Sequence, residues 1–316
     1  MAAKMTNLPK YITMESVRQV LKMADLIPVI EKAMGDFSKG EEGGVVQPVR
    51  TVVPVKEHNG VLFVMPGYST TSGALVTKLV TRFRDRDKTC VAGPRSTVCY
   101  FDHTNGDLKS IMDGEVITSM RTAAASAVAT KYLASKESKI LCILGAGEQA
   151  GSHYQALHQI CNFQEVRVWS RTISRAQKFA AEYKSTVCET AEEAAKDADV
   201  IVTVTMSTKP ILEHSWVKPG AHVNCVGACR PDWQELSSEL MQKSVVYVDS
   251  REAAMKESGD VLISKAEVYA EIGDLVNGTK EASRDKTTVF KSLGMAVEDV
   301  VSAKLVYDKY VQQNGE

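Results

Sequence analysis

Residues 140–151, ILCILGAGEQAG, constrain this chain more than any other stretch: five apolar residues run straight into Gly145-x-Gly147-x-x-Ala150. An apolar strand, that spacing and a following run of helix formers make the strand–turn–helix of a dinucleotide-binding βαβ unit. Gly145 permits the tight turn, and Gly147 lets the backbone approach a pyrophosphate. The small Ala150 lets helix and strand pack closely, and the helix start offers free N–H groups and a positive dipole end to phosphate. A second apolar strand, 166–169, follows at about the expected distance and ends in Ser170-Arg171-Thr172, with no acid at its tip. A carboxylate there would accept from a ribose 2′-hydroxyl and repel a 2′-phosphate, whereas a guanidinium and two hydroxyls would hold the phosphate. The sequence therefore predicts NADPH rather than NADH.

The surrounding pattern agrees with such a unit. Apolar runs at 199–205, 222–227 and 245–249 alternate with helical segments, two of which begin at Glu148 and Ser174, as in a parallel sheet. The chain before about Gly114 reads differently. Strand-like runs at 49–55, 61–65, 75–81 and 96–101 are separated by polar clusters such as His58-Asn59-Gly60 and Thr104–Asp107, which predicts a largely antiparallel sheet. Between the halves, 119–130 is rich in small helix formers. At the end, Val297, Val301 and Leu305, with Val300 alongside, form one apolar helix stripe that would pack back onto the first unit. The expected fold is α/β: a Rossmann-type parallel-sheet domain over 119–295, and a discontinuous α+β domain over 1–118 with 296–316 packing back.

Composition removes several function classes. With 38 basic and 39 acidic residues the net charge is −1, leaving no excess to hold a nucleic-acid backbone. Seven cysteines are odd in number, scattered and without a C-x-x-C, which argues for reduced thiols and against a disulfide framework or a metal site. Residues 1–16 lack an apolar leader core and no later stretch is long enough to span a bilayer, so a cytoplasmic protein is expected, with no membrane partner.

Three cations keep unusual company. Strand alternation puts Arg50 with Val52 and Pro54, and Lys78 with Val76 and Val80, and a cation among apolar neighbours needs an anionic partner. Arg121 lies near the expected start of the Ala-rich helix, where the dipole disfavours positive charge. Together they suggest a cationic pocket for a small anion held by bidentate arginine.

At these residues the chain resembles the ornithine cyclodeaminase/mu-crystallin family, nearly end to end. The carrying segments are QPVRTVVP (47–54), VMPG (64–67), TKLV (77–80), MDGEVITSMRTAAA (112–125), LGAGEQA (144–150), VGACRPDW (226–233) and TTVFKSLGMAVED (287–299). The RPDW and KSLGMAVED stretches are most similar to the family's NADPH-dependent ketimine reductases, which also bind thyroid hormone. The resemblance implies a Rossmann domain plus a substrate domain whose sheet pairs with a second subunit in a homodimer. It implies that Arg50 and Arg121 bind a substrate carboxylate and that Lys78 is the active-site lysine. Phe63, Cys229 and Glu257 would line the substrate site, with Glu257 helping to hold an iodothyronine amino group. Cofactor contacts would fall on Gly145, Gly147, Gln149, Ser170, Arg171, Thr172, Thr205, Met206, Val226 and Leu293.

Two departures count against lyase chemistry. Ornithine cyclodeaminases carry a catalytic Asp in a G-x-D-x-P turn, where this chain has Cys229 (Ser in the family's ketimine reductases), and a Glu where it has Phe63. Asp232, nearby, reads as a turn residue after Pro231. The function expected is NADPH-dependent reduction of a cyclic ketimine carboxylate. The alternatives are a non-turnover iodothyronine-binding or bulk structural protein, an alanine-dehydrogenase-like activity, and ornithine cyclodeamination.

Overall fold

A computed structural model describes residues 8–83 and 95–315. The first sheet holds β1 (Lys10–Ile12), β2 (Val45–Val46), β3 (Thr51–Val55), β4 (Gly60–Ser69), β5 (Ala74–Phe83), β6 (Arg95–Phe101) and β7 (Leu108–Asp113). Its order is β1-β7-β6-β5-β4-β2, with β3 paired to the other half of β4's free edge. All its pairings are antiparallel except β1 with β7. Helices α1 (Met14–Val20) and α2 (Met23–Ser38) belong to this half. The expected strand at 49–55 starts two residues later, so Arg50 precedes β3 rather than alternating with Val52 and Pro54 on it.

Helix α3 (Gly114–Leu133) then crosses between the halves. Its cap is Asp113, whose carboxylate accepts from the Glu115 N–H at 3.0 Å. Arg121 is therefore a mid-helix residue, and the expected clash with the helix dipole does not arise. Ala123, Ala124, Ala125, Ala127 and Ala129 are fully buried, and their small side chains let neighbouring helices approach closely.

The second sheet is built from β8 (Ile140–Leu144), β9 (Glu165–Trp169), β10 (Thr186–Val187), β11 (Val200–Thr203), β12 (His222–Cys225), β13 (Val245–Val248), β14 (Val268–Glu271) and β15 (Thr288–Lys291). Between them run α4 (Glu148–Leu157), α5 (Ile173–Tyr183), α6 (Ala191–Ala195), α7 (Ser238–Lys243), α8 (Arg251–Glu257), α9 (Gly259–Ser264) and α10 (Ile272–Val276). The order is β10-β9-β8-β11-β12-β15-β13-β14, every neighbour parallel. Strand order reverses between β8 and β11, and in such sheets the crevice at the strands' carboxyl ends is where ligands bind. Two apolar cores cover the faces of this sheet, one of them continuous with the core of the first half. The last helix, α11 (Ala296–Asn314), returns to pack on β4, β5, α2 and α3. No helix of the described chain is long and apolar enough to cross a membrane.

Candidate active site

The β8–β11 switch point is built as the glycine spacing demands. Gly145 sits at φ +121°, and a Cβ there would lie 2.8 Å from the Val204 carbonyl oxygen, so the loops after β8 and β11 touch only because this residue is glycine. Gly147 caps α4 without a side-chain cap, and a Cβ on it would meet nothing within 4 Å. Gln149, in the first turn, keeps a buried Oε1 with no hydrogen-bond partner. An open approach over Gly147, an uncapped helix start and an orphaned amide oxygen fit a dinucleotide pyrophosphate. At the tip of β9, Ser170 is half-buried while Arg171 and Thr172 are exposed.

The far floor of the crevice is tied by one buried carboxylate. Glu235 accepts from Thr203 Oγ1 (2.9 Å), from Thr205 N and Oγ1 (2.6 Å each) and from Gly227 N (2.6 Å). It thereby joins the loop after β11, with Thr205 and Met206, to the loop after β12, with Val226 and Cys229. Burial pushes the Glu235 carboxyl up. Behind it, Asp260 accepts from the Glu235 and Leu236 N–H groups and pairs with Lys291 at 3.1 Å. Met206 is exposed and receives the Arg82 guanidinium, whose carbon also lies 5.0 Å from the centre of the Trp233 ring. Cys229 is half-buried with its thiol free, and Asp232 is exposed and pairs with Arg230 at 3.5 Å.

The three expected cations converge on the start of α11. Lys78, from β5, donates to Asp299 Oδ1 at 2.8 Å, and its Nζ lies 2.7 Å from Oδ2 as an ion pair. Arg121 gives Nε to Asp299 Oδ1 at 3.2 Å and Nη1 to Glu298 Oε2 at 2.7 Å. Arg50 donates to the Leu293 and Gly294 carbonyls at 2.7 and 3.2 Å and pairs with Glu257 at 3.0 Å. The turn they surround is pinned by Asp249, which accepts from Leu293 N and Gly294 N at 2.6 Å each. Gly294 is at φ +82°, and a Cβ there would stand 2.3 Å from Arg121 Nη1. Arg50, Glu257, Met65, Gly294, Met295 and Ala296 help line a cleft of about 50 Å³. Phe63 is half-buried on the same face of β4 as Met65.

The cations are thus brought together, as expected, but they are not free: each already holds a carboxylate. Glu298, Asp299 and Asp249 went unassigned in the sequence. The pair Glu298-Asp299 falls in the first turn of a helix, where acids are ordinary dipole partners. Its placement beside the apolar Val297 and Val300 was the available signal. Burial, and then Arg121, bring Lys78 down to about 8, against the pull of Asp299. Burial takes the Glu298 carboxyl up to about 7 against the pull of Arg121, with Asp249 and Asp299 adding to the rise. Two groups that exchange protons near neutrality flank one guanidinium, an arrangement suited to acid–base chemistry on an anionic substrate. Among the described residues no group of three His, Cys, Asp or Glu is placed to hold a metal ion. Of the seven cysteines, six are described and free, and Cys90 lies outside the described residues, as do residues 1–7 of the segment read for a leader.

Comparison with known proteins gives a consistent picture. The family model described as "Ornithine cyclodeaminase/mu-crystallin family" matches residues 9–314. The chain is 56% identical to the ketimine reductase mu-crystallin of Macropus fuliginosus over 306 residues, 96% of this chain and 98% of that protein. The fold is similar to that of Thermococcus litoralis Δ1-pyrroline-2-carboxylate reductase, solved with NADH and L-proline. The TM-score is 0.91 at 33% identity, covering 96% of this chain and 98% of the other. It is also similar to an archaeal alanine dehydrogenase dimer with bound NAD, with a TM-score of 0.90 at 29% identity and 97% of each chain covered.

Proposed function

The chain belongs to the ornithine cyclodeaminase/mu-crystallin family, and on that footing we propose that it is an NADPH-dependent reductase of cyclic ketimine carboxylates. The observation that carries this is the Arg50 guanidinium in the wall of a cleft also lined by Gly294, the residue that packs directly against Arg121. Full-length identity to a ketimine reductase supports it.

Gly145, Gly147 and Gln149 would hold the pyrophosphate, Ser170, Arg171 and Thr172 the 2′-phosphate, and Thr205, Met206, Val226 and Leu293 the nicotinamide end. The reduced nicotinamide, when bound, supplies hydride. Arg50 and Arg121 fix the substrate carboxylate, so the reacting carbon is presented in one orientation. Lys78, poised near neutrality, orients that carboxylate and relays a proton toward the imine nitrogen. Phe63 and Cys229 shape the pocket around the ring. Cys229 and Phe63, in place of two carboxylates, deprive an ornithine side chain of its anchor and its acid–base group, which argues against cyclodeamination.

We place the functional units at 1–118 with 296–316 and at 119–295. Val46, Val52 and Val53 are exposed along β2 and β3, an apolar edge that a second copy of the first sheet would cover. The free thiols suit the cytoplasm. The similarity to an alanine dehydrogenase favours a second reading, reductive amination of a keto acid. An iodothyronine shares the carboxylate, with Glu257 of the cleft wall near its amino group, and would compete with the imine for the same site.

One screen separates these readings: oxidation of both reduced nicotinamide cofactors with cyclic imine carboxylates, with keto acids plus ammonia, and with an iodothyronine as competitor. Turnover of the keto acid alone would displace the imine reading. For cofactor choice, Arg171→Ala should weaken NADPH binding about 10- to 100-fold, the worth of a charge-assisted phosphate contact, and leave NADH nearly unchanged. Fluorescence titration with both nucleotides reads this directly, and equal losses would remove the 2′-phosphate role from Arg171.

A further inference from the structure

The start of α11 is already saturated with charge. Three cations, Arg50, Lys78 and Arg121, face four carboxyl groups, Asp249, Glu257, Glu298 and Asp299. An added substrate carboxylate that engages Arg121 must therefore displace a resident from that guanidinium. The four are not equivalent. Asp249 is held by backbone N–H groups of Ser250, Leu293 and Gly294. Asp299 keeps Lys78 even if Arg121 turns away. Glu257 is partly exposed at the cleft and can be hydrated. Glu298 has no such recourse: it is fully buried, its Oε2 has Arg121, and its Oε1 has no partner at all.

We propose that binding of a substrate carboxylate draws Arg121 away from Glu298 and takes up a proton at Glu298, making this residue a proton-coupled gate on the carboxylate site. The inference rests on the reading of that site as carboxylate-binding. A buried carboxylate stripped of its only cation is strongly disfavoured as the anion, and protonation removes the charge. The groups facing Glu298 are Arg121 of α3, Asp249 at the end of β13 and Asp299 beside it, with Lys78 of β5 across Asp299. Free Glu298 titrates at about 7, so the proton is taken up from neutral solution at little cost. Lys78, at about 8, is the second group that an added anion would protonate, and it contributes only at higher pH. Since the bound state holds the extra proton, affinity falls as pH rises above about 7, by up to about tenfold per pH unit.

The test uses 2-furoate, a flat five-membered-ring carboxylate that does not itself titrate near neutrality, so imine protonation cannot contribute. Furoate is titrated calorimetrically into the nucleotide-saturated protein at pH 7.5 in buffers of different ionisation enthalpy. The expected uptake is between about three-quarters of a proton and one proton per furoate, falling to roughly a quarter or less in Glu298→Gln, the remainder belonging to Lys78. Glu298→Gln, carrying a permanent neutral mimic, should bind furoate at pH 8 about as tightly as the wild type does at pH 6. A fixed counter-ion role predicts neither result. The wild-type measurement stands alone should the variant fail to fold, as nucleotide titration would reveal. Furoate binding without buffer-dependent heat, or uptake unchanged in Glu298→Gln, overturns the proposal. Failure of furoate to bind overturns it as well, and the reading of the site falls with it only if cyclic imines are not reduced either.

Discussion

Arg50→Lys should lower kcat/KM for a cyclic imine carboxylate by on the order of a hundredfold, nearly as far as Arg50→Ala. The guanidinium does three things at once: it bonds two carbonyls of the 293–294 turn, meets Glu257, and lines the cleft. An ammonium is a point donor on a flexible stem and cannot satisfy the carbonyls, Glu257 and a substrate carboxylate together. The loss should appear in KM and kcat together, because the same contact binds the carboxylate and sets the position of the reacting carbon. Nucleotide affinity, measured in the same preparations, should stay within a few-fold of wild type. A lysine variant with wild-type kcat/KM would make Arg50 a structural clasp for the turn and nothing more.

Asp299→Asn should be the most damaging single change to the fold around the site, costing about 3–5 kcal/mol. Its carboxylate neutralises Lys78 and Arg121 together, and Asp299 and Lys78 are 0% and 1% exposed. The amide leaves an ammonium facing a neutral group in a dry site, so the melting temperature should drop on the order of 10 °C. The pH dependence carries a definite sign. Asp299 stabilises the charged form of Lys78, which in the wild type loses its proton at about 8. The destabilisation should therefore be largest below that pH and shrink above it, leaving the part due to Arg121, which stays charged throughout. Thermal unfolding of wild type and variant at several pH values checks this, and a penalty that grew with pH would contradict the assignment.

What the sequence disclosed here is what short-range physics controls. The turn at Gly145 is legible because φ +121° and the contact with Val204 are demands on one residue. Strands such as β8 and β9 are legible because their apolar runs are bounded by clear turns. By contrast β15 is hard to read, because it ends in Lys291, a charge foreign to a core strand until its partner Asp260, 31 residues away, is seen beside it. Helix α3 starts five residues before the 119–130 run of small helix formers, because Asp113 caps it through the Glu115 N–H, a helix-start signal. The cations of the site stood out as charges among apolar neighbours. Their carboxylate partners did not, because the pairing of residues 78 and 299 exists only in three dimensions.

The return of α11 to the first sheet also fixes when the site comes into being. Lys78 meets its counter-ion across 221 residues of chain. At roughly 5–20 residues per second of synthesis, that lysine waits about ten to forty-five seconds for Asp299 to emerge. Until then the first sheet has a lysine on its inner face and no carboxylate from α11 to close over it. Ribosome-bound chains stopped short of the last helix should therefore hold the dinucleotide half in a folded, nucleotide-competent state while the antiparallel half stays open. The order of birth thus separates two capacities that the finished molecule exercises together.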